Sequence, residues 1–118
     1  MTAELMTFEQ ALTAFKKFNC DSFLDECRKL GIKAQRCVAR KCLIANWFKL
    51  MTGITTCVTP KTSYKGWEIY QHLPGILLSN DRIKSLPKWA GDLAAKFDEQ
   101  EDQLKEFVAQ TAEEMYPQ

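Results

Sequence analysis

Long apolar runs are missing from this 118-residue chain. No stretch approaches the roughly 18–20 residues that a membrane-spanning helix needs, so no membrane partner is expected. The opening "MTAELMTFEQ" lacks the basic start and apolar stretch of a signal peptide, and the cytoplasm is the expected compartment. Histidine occurs once, at His72 in "YQHLP", which leaves little material for a histidine base beside a nucleophile. The glycines stand singly at Gly31, Gly53, Gly66, Gly75 and Gly91, with no Gly-x-Gly pattern and no Walker motif. A loop that cradles phosphate is therefore not expected. Cys-x-x-Cys is absent too. The five cysteines are Cys20, Cys27, Cys37, Cys42 and Cys57, and the tightest spacing is Cys37-x4-Cys42. Structural zinc sites use closer pairs, and an odd set of thiols without a leader reads as reduced. No metal and no other cofactor is expected.

Acidic residues are absent from 27–67. That span carries nine cations: Arg28, Lys29, Lys33, Arg36, Arg40, Lys41, Lys49, Lys61 and Lys65. From Asp92 onward the balance reverses, with eight acids and two lysines. The formal net charge of +1 conceals this separation. The carboxylate pairs of the tail, Asp98/Glu99 and Glu113/Glu114, lie in a dense polar segment and read as a solvated face, not as an acid–base pair. An enzyme is not expected.

What is present is helical period. "TFEQALTAFKKF" opens on Thr7 and Gln10, which fit a capping box, and Phe8, Ala11, Leu12, Phe15 and Phe18 recur at helical spacing over about 8–18. "CDSFLDECRKLGI" reads as a second helix capped by Asp21, stopped by Gly31 and closed by the apolar contact of Ile32. Residues 33–40 read as a basic connection. "CLIANWFKLMTG" follows as a helix over about 40–52 that ends at Thr52 and Gly53. At about 100° per residue, Leu43, Ile44, Trp47, Phe48, Leu50 and Met51 fall within an arc of about 160°. Cys42, Ala45, Asn46 and Lys49 take the other side, so the helix reads as amphipathic, with a narrow face that a partner can approach.

The β-branched run around Ile54, Thr56 and Val58 predicts a strand that Pro60 ends or confines to an edge, and Trp67, Ile69 and Tyr70 predict a second. "GILLSNDRIKSL" reads as a hairpin turning at Ser79, Asn80 and Asp81. The end of the chain reads as an acidic helical segment over about 87–115, with Ser85 as cap and Pro87 in the first turn; the polar "DEQEDQ" at 98–103 either interrupts it or forms its solvated middle. Asp92/Lys96 and Glu101/Lys105 are its four-residue ion pairs. The predicted fold is a single α+β domain over 1–118. It is mostly helical (four to five helices), with a small two- or three-stranded antiparallel sheet at about 54–84.

"CLIANWFKLMTG" and "LPKWAGDLAAKFD" together resemble short proteins of filamentous bacteria, cyanobacteria and phages. Those proteins carry a Cys, two apolar residues, Ala, a variable residue and an aromatic, then Thr-Gly, a short strand region, and Leu-Pro-x-Trp followed by Phe-Asp. The matching residues are Cys42, Ala45, Asn46, Trp47, Thr52, Gly53, Leu86, Pro87, Trp89, Phe97 and Asp98, within about 37–98. Family members often place proline after the Cys; Leu43 stands here, and the stretch from Gly53 to Leu86 is longer. The resemblance implies a common small fold and brings no activity with it.

The functional expectation is a small non-enzymatic binding or regulatory protein that docks a partner protein through its basic centre, using Arg36, Arg40, Lys41, Asn46 and Lys49. Self-association as a homodimer belongs to the same class. The alternative is a nucleic-acid-binding protein. Its cations over 27–67 would neutralise phosphates, and Trp47, Tyr64 and Trp67 would stack on bases.

Overall fold

The computed structural model describes residues 5–35, 40–61, 66–99 and 102–109. The fold is α+β and mostly helical, with a three-stranded antiparallel sheet. Helix α1, Phe8–Lys16, starts at the expected capping box: Thr7 Oγ1 accepts the Gln10 N–H at 3.1 Å, and Gln10 Oε1 accepts the Thr7 N–H at 3.0 Å. Helix α2, Cys20–Leu30, starts two residues earlier than a cap at Asp21 would allow. Its cap is Asn19, whose Oδ1 accepts the Ser22 N–H at 2.8 Å, while Ser22 Oγ accepts the Asn19 N–H at 2.9 Å. Asp21 falls inside the first turn, where its charge meets the positive end of the helix dipole.

The stop of α2 is as expected. Gly31 has φ +68°, its N–H donates to Arg28 O, and the Ile32 N–H reaches back to Cys27 O at 2.9 Å. This pair of bonds is the Schellman arrangement, and buried Ile32 supplies its apolar contact. Helix α3, Leu43–Thr52, begins after the expected position and is capped by the Cys42 thiol, whose Sγ accepts the Ala45 N–H at 3.4 Å. It ends at Gly53, φ +76°, as the sequence predicts.

Strands β1, Thr56–Pro60, and β2, Trp67–Gln71, pair antiparallel, with Val58 opposite Ile69. β1 is an edge strand, and Pro60 closes it without breaking the ladder. The third strand differs from expectation. Ile76, Leu77 and Leu78 are in no strand, and Asn80–Arg82 forms a 3-10 turn instead of a hairpin tip. Only β3, Lys84–Ser85, pairs, and it pairs with β2. Helix α3 packs on β1 and on α1, and helix α4, Lys88–Asp98, packs on β2 and on α2. Val58 and Ile69 are buried on the covered face.

Of the two alternatives for 87–115, the structure shows the interruption at the polar stretch. Helix α4 ends at Asp98, and Asp102–Phe107 is a 3-10 segment; residues 110–118, which include Thr111 and Met115, lie outside the described residues. A straight helix has no means of satisfying a neighbour's backbone. Here Phe107 O accepts the Ala34 N–H at 2.7 Å, and the Ala109 N–H donates to Ala34 O at 2.9 Å. Leu104 and Phe107 still reach the core. Pro87 is the cap position of α4, not its first turn, and Ser85 lies in β3, where its Oγ accepts Lys61 Nζ at 2.7 Å. Asp92 takes Lys88 as its partner, four residues earlier, at 3.0 Å. Glu101 lies outside the described residues.

Gly91 sits in the interior of α4, where glycine costs about 1 kcal/mol relative to alanine. The reason is steric: a Cβ there would lie 2.8 Å from Trp67 Cδ1 and 3.4 Å from Trp67 Cγ. The base of the indole lies against the helix backbone and cannot swing clear as the tip of a flexible side chain would. Gly91→Ala is expected to lower stability by about 1–3 kcal/mol despite its better helix propensity. Urea unfolding followed by circular dichroism measures this; an unchanged or raised midpoint would show that Trp67 yields.

Candidate functional site

Of the residues singled out in the basic centre that the structure describes, Asn46 is not at the surface. Arg36 lies outside the described residues. Arg40 is exposed just before α3, and Lys41 is half-buried, with its carbonyl accepting the Gln35 N–H at 2.8 Å. Lys49 is half-buried in the last turn of α3, and its carbonyl accepts the Gly53 N–H. Asn46 corrects the amphipathic reading. It is 1 % exposed, and its Nδ2 donates to Lys33 O at 2.7 Å and to Lys41 O at 3.3 Å. Cys42 and Ala45 are buried beside it. The segment at Lys33 and Ala34 covers this side of α3, and Leu93, Ala94 and Phe97 of α4 lie against Cys42, Leu43 and Ile44. A helical wheel shows which residues share a face but not what packs on it. Apolar on one side and capped by small and amide groups on the other, α3 is a central helix.

Arg28 donates through Nε to Glu106 at 2.6 Å and through Nη1 to Asp25 at 2.7 Å, with its guanidinium 5.3 Å from the centre of the Phe107 ring. The hydrogen bond that Arg28 donates to Glu106, more than any other contact, holds the Arg28 guanidinium above its ordinary value. Part of the basic span thus meets the acidic tail of its own chain. Both partners are well exposed, so the pair contributes little stability. Of the aromatics proposed to stack on bases, Trp47 is buried, Trp67 lies on Gly91, and Tyr64 is outside the described residues.

Cys20, Cys27, Cys42 and Cys57 are thiols. Burial pushes the Cys27 thiol up to about 12 from an ordinary 9.0, reinforced by Glu26. Cys57 stands opposite Tyr70 in the β1–β2 ladder. Burial first, and a hydrogen bond with Cys57 second, raise the Tyr70 phenol. A group held this firmly in its neutral form is a poor nucleophile at neutral pH. Among the described residues no three histidine, cysteine or acidic side chains cluster in a way that could hold a metal ion, and no helix is long and apolar enough to cross a membrane.

The feature that the sequence reading missed is the loop from β2 to β3. Its first turn is made by Pro74 and Gly75: the Ile76 N–H donates to Leu73 O at 3.2 Å, and Gly75 has φ +79°, the value that the third residue of a type II turn requires. Its second is the 3-10 turn Asn80–Arg82, in which the Arg82 N–H donates to Ser79 O at 3.0 Å and Ser79 Oγ donates to Asp81. Between these braces Ile76, Leu77 and Leu78 are 59 %, 93 % and 45 % exposed. The other exposed large apolar side chains among the described residues are Leu5 and Met6. They directly precede α1, and Phe8 and Glu9 of α1 share a small cleft with Leu73, Asp81 and Arg82 at the base of the loop. Leu5 and Met6 lie by the end of α3: Leu5 stands over Gly53 and the Met6 N–H donates to Met51 O at 2.8 Å. A run of three apolar residues between turn signals is the cue in the sequence, and it fits a strand and an exposed loop alike.

Comparison of the chain with protein-family models, with curated proteins and with solved structures finds no match.

Two consequences are measurable. Asn46→Leu removes the amide donor from the Lys33 carbonyl and leaves the Lys41 carbonyl with the Gln35 N–H; it is expected to cost about 1–3 kcal/mol in urea unfolding, and a neutral result would return Asn46 to the surface. Cys27 stays protonated in the folded chain after the unfolded chain has lost that proton. Its contribution is fully present below pH 9 and declines between 9 and about 12, at up to about 1.4 kcal/mol per pH unit. Unfolding free energies of the wild type and Cys27→Ala between pH 8 and 10.5 are expected to converge as pH rises; parallel curves would refute the shift.

Proposed function

We propose that this chain is a non-enzymatic docking protein that presents the 76–78 loop to an apolar groove on a partner protein. The observation that carries the reading is Leu77, almost fully exposed between Ile76 and Leu78 on a loop held at both ends by turns. Apolar side chains standing contiguously in water mark interaction surfaces, whereas single exposed ones need no explanation. Bracing a loop before binding lowers the ordering cost of association. Burying three such side chains is worth about 5–9 kcal/mol, against an association cost of about 4–15 kcal/mol. The loop alone thus supports a weak or transient complex.

The reading keeps the class expected from the sequence and moves the contact from the basic centre to the loop. Arg40 and Lys41 remain as cations for steering, because exposed charges affect association rates more than affinity. The nucleic-acid alternative has less support, since Trp47 is buried in the core and Arg28 is engaged by Glu106 and Asp25.

The test compares Leu77→Asp with the double reversal of Arg40 and Lys41 to glutamate, in purification from the native host with and without nuclease. A photocrosslinker at position 77 identifies what lies against the loop. Leu77→Asp is expected to fold within about 0.5 kcal/mol of the wild type and to lose the crosslinked partner. The double reversal is expected to slow capture without abolishing it. Capture that Leu77→Asp leaves intact, or that nuclease removes, would refute the proposal.

A further inference from the structure

We propose that the cleft between α4 and the sheet binds a small amphiphilic monoanion: a flat apolar ring bearing a single carboxylate or sulfonate. The site is separate from the 76–78 loop and goes beyond the docking reading. Its volume is about 500 Å³, inside the range of about 300–1,000 Å³ typical of small-molecule sites. Trp67, Leu86, Pro87 and Ala95 give it apolar walls, and all four are half-buried, so part of that surface still meets water. The indole is held in place. Its base lies against the α4 backbone at Gly91, and the Trp67 carbonyl accepts the Leu86 N–H at 2.9 Å. A fixed aromatic wall favours a flat ring set against it, offset or edge-on.

The sign of the ligand follows from the ionisable side chains that line the cleft, which are Lys61, Lys88 and Asp92. Asp92 Oδ2 accepts Lys88 Nζ at 3.0 Å, so these two cancel. Lys61 is half-buried and has no carboxylate partner among the described residues; its Nζ donates to the neutral Ser85 hydroxyl at 2.7 Å. The lining therefore carries one uncompensated positive charge. The start of α4, at Pro87 and Lys88, borders the same space and adds to that sign. No acidic residue stands in its first turn and Pro87 supplies no side-chain acceptor, so the positive end of the helix dipole is not neutralised there. A neutral ring would desolvate Lys61 without a counter-charge, and a dianion would exceed the charge available. One anionic group on a flat apolar body meets both conditions.

Two fluorescent probes share a ring system and differ in charge: anilinonaphthalene sulfonate, a monoanion, and phenylnaphthylamine, the same skeleton without the sulfonate. Titration of the full chain is expected to show a single saturable site that prefers the sulfonate. Lys61→Gln is expected to weaken the sulfonate about tenfold, through loss of one charge-assisted contact, and to leave the neutral probe unchanged. Asp92→Asn releases Lys88 and is expected to tighten the sulfonate alone. Ala95→Trp fills the cleft and is expected to abolish both probes, with circular dichroism checking that it folds; if it does not, the Lys61 and Asp92 variants decide. Leu77→Asp is expected to change neither probe. Absence of saturable binding, equal affinity for the two probes, or sulfonate binding indifferent to Lys61→Gln overturns the proposal. So does binding that Leu77→Asp removes, because the probe then reports the loop. None of these outcomes bears on capture of a partner through Leu77, so the docking reading stands or falls separately.

Discussion

Phe15 is the point on which the four helices converge. Its ring centre lies 4.9 Å from that of Trp89, 5.2 Å from Phe23, 5.3 Å from Phe48 and 5.8 Å from Trp47. One side chain of α1 thereby touches rings from α2, α3 and α4. Tilted and edge-on pairs at these distances contribute about 0.5–1.5 kcal/mol each beyond the area they bury. Trp47 closes the knot with edge-on contacts to Phe18, Phe23 and Phe48. Its indole N–H is buried without an acceptor, a cost of about 1–3 kcal/mol that the surrounding ring burial offsets. The knot requires α3 at the centre, and that placement turns Asn46 inward.

The remaining architecture follows from what the knot leaves uncovered. Helix α3 lies against β1 and α4 against β2, so helices cover the sheet where its strands pair. Because β3 is only two residues long, most of the chain between the strands is free of ladder pairing. It folds into two braced turns and carries its apolar side chains outward. At the other end of the hairpin, Trp67 lies over Gly91 and forms a wall of the α4 cleft. Loop and cleft are two ends of one supersecondary unit.

Local chemistry was legible where it acts over three or four residues. The Thr7/Gln10 box, the Gly31 stop with Ile32 behind it, the Gly53 stop and the strand-ending Pro60 all depend on nearest neighbours, and all are observed. Asn19 shows the limit of that reading. Asn19 and Asp21 are both good caps by residue type, and only the reciprocal bond with Ser22 decides between them. Asn46 was illegible for a different reason. Its partners are the carbonyls of Lys33 and Lys41, and the first lies thirteen residues away. The break after Asp98 depends likewise on the pairing of Val108 with Ala34, a contact between distant parts of the chain.

By itself, the sequence determined the class of fold, the number of strands to within one, the helix stops and the charge separation between the centre and the tail. Each is set by backbone preference, period or composition, and these need no knowledge of what packs where. Only the tertiary structure decided that the apparently amphipathic α3 is enclosed and that Arg28 meets Glu106. It also decided that Ile76, Leu77 and Leu78 face water and not a core. An apolar run has the same pattern whether it is buried or exposed; the distinction comes from which neighbours the rest of the chain brings against it.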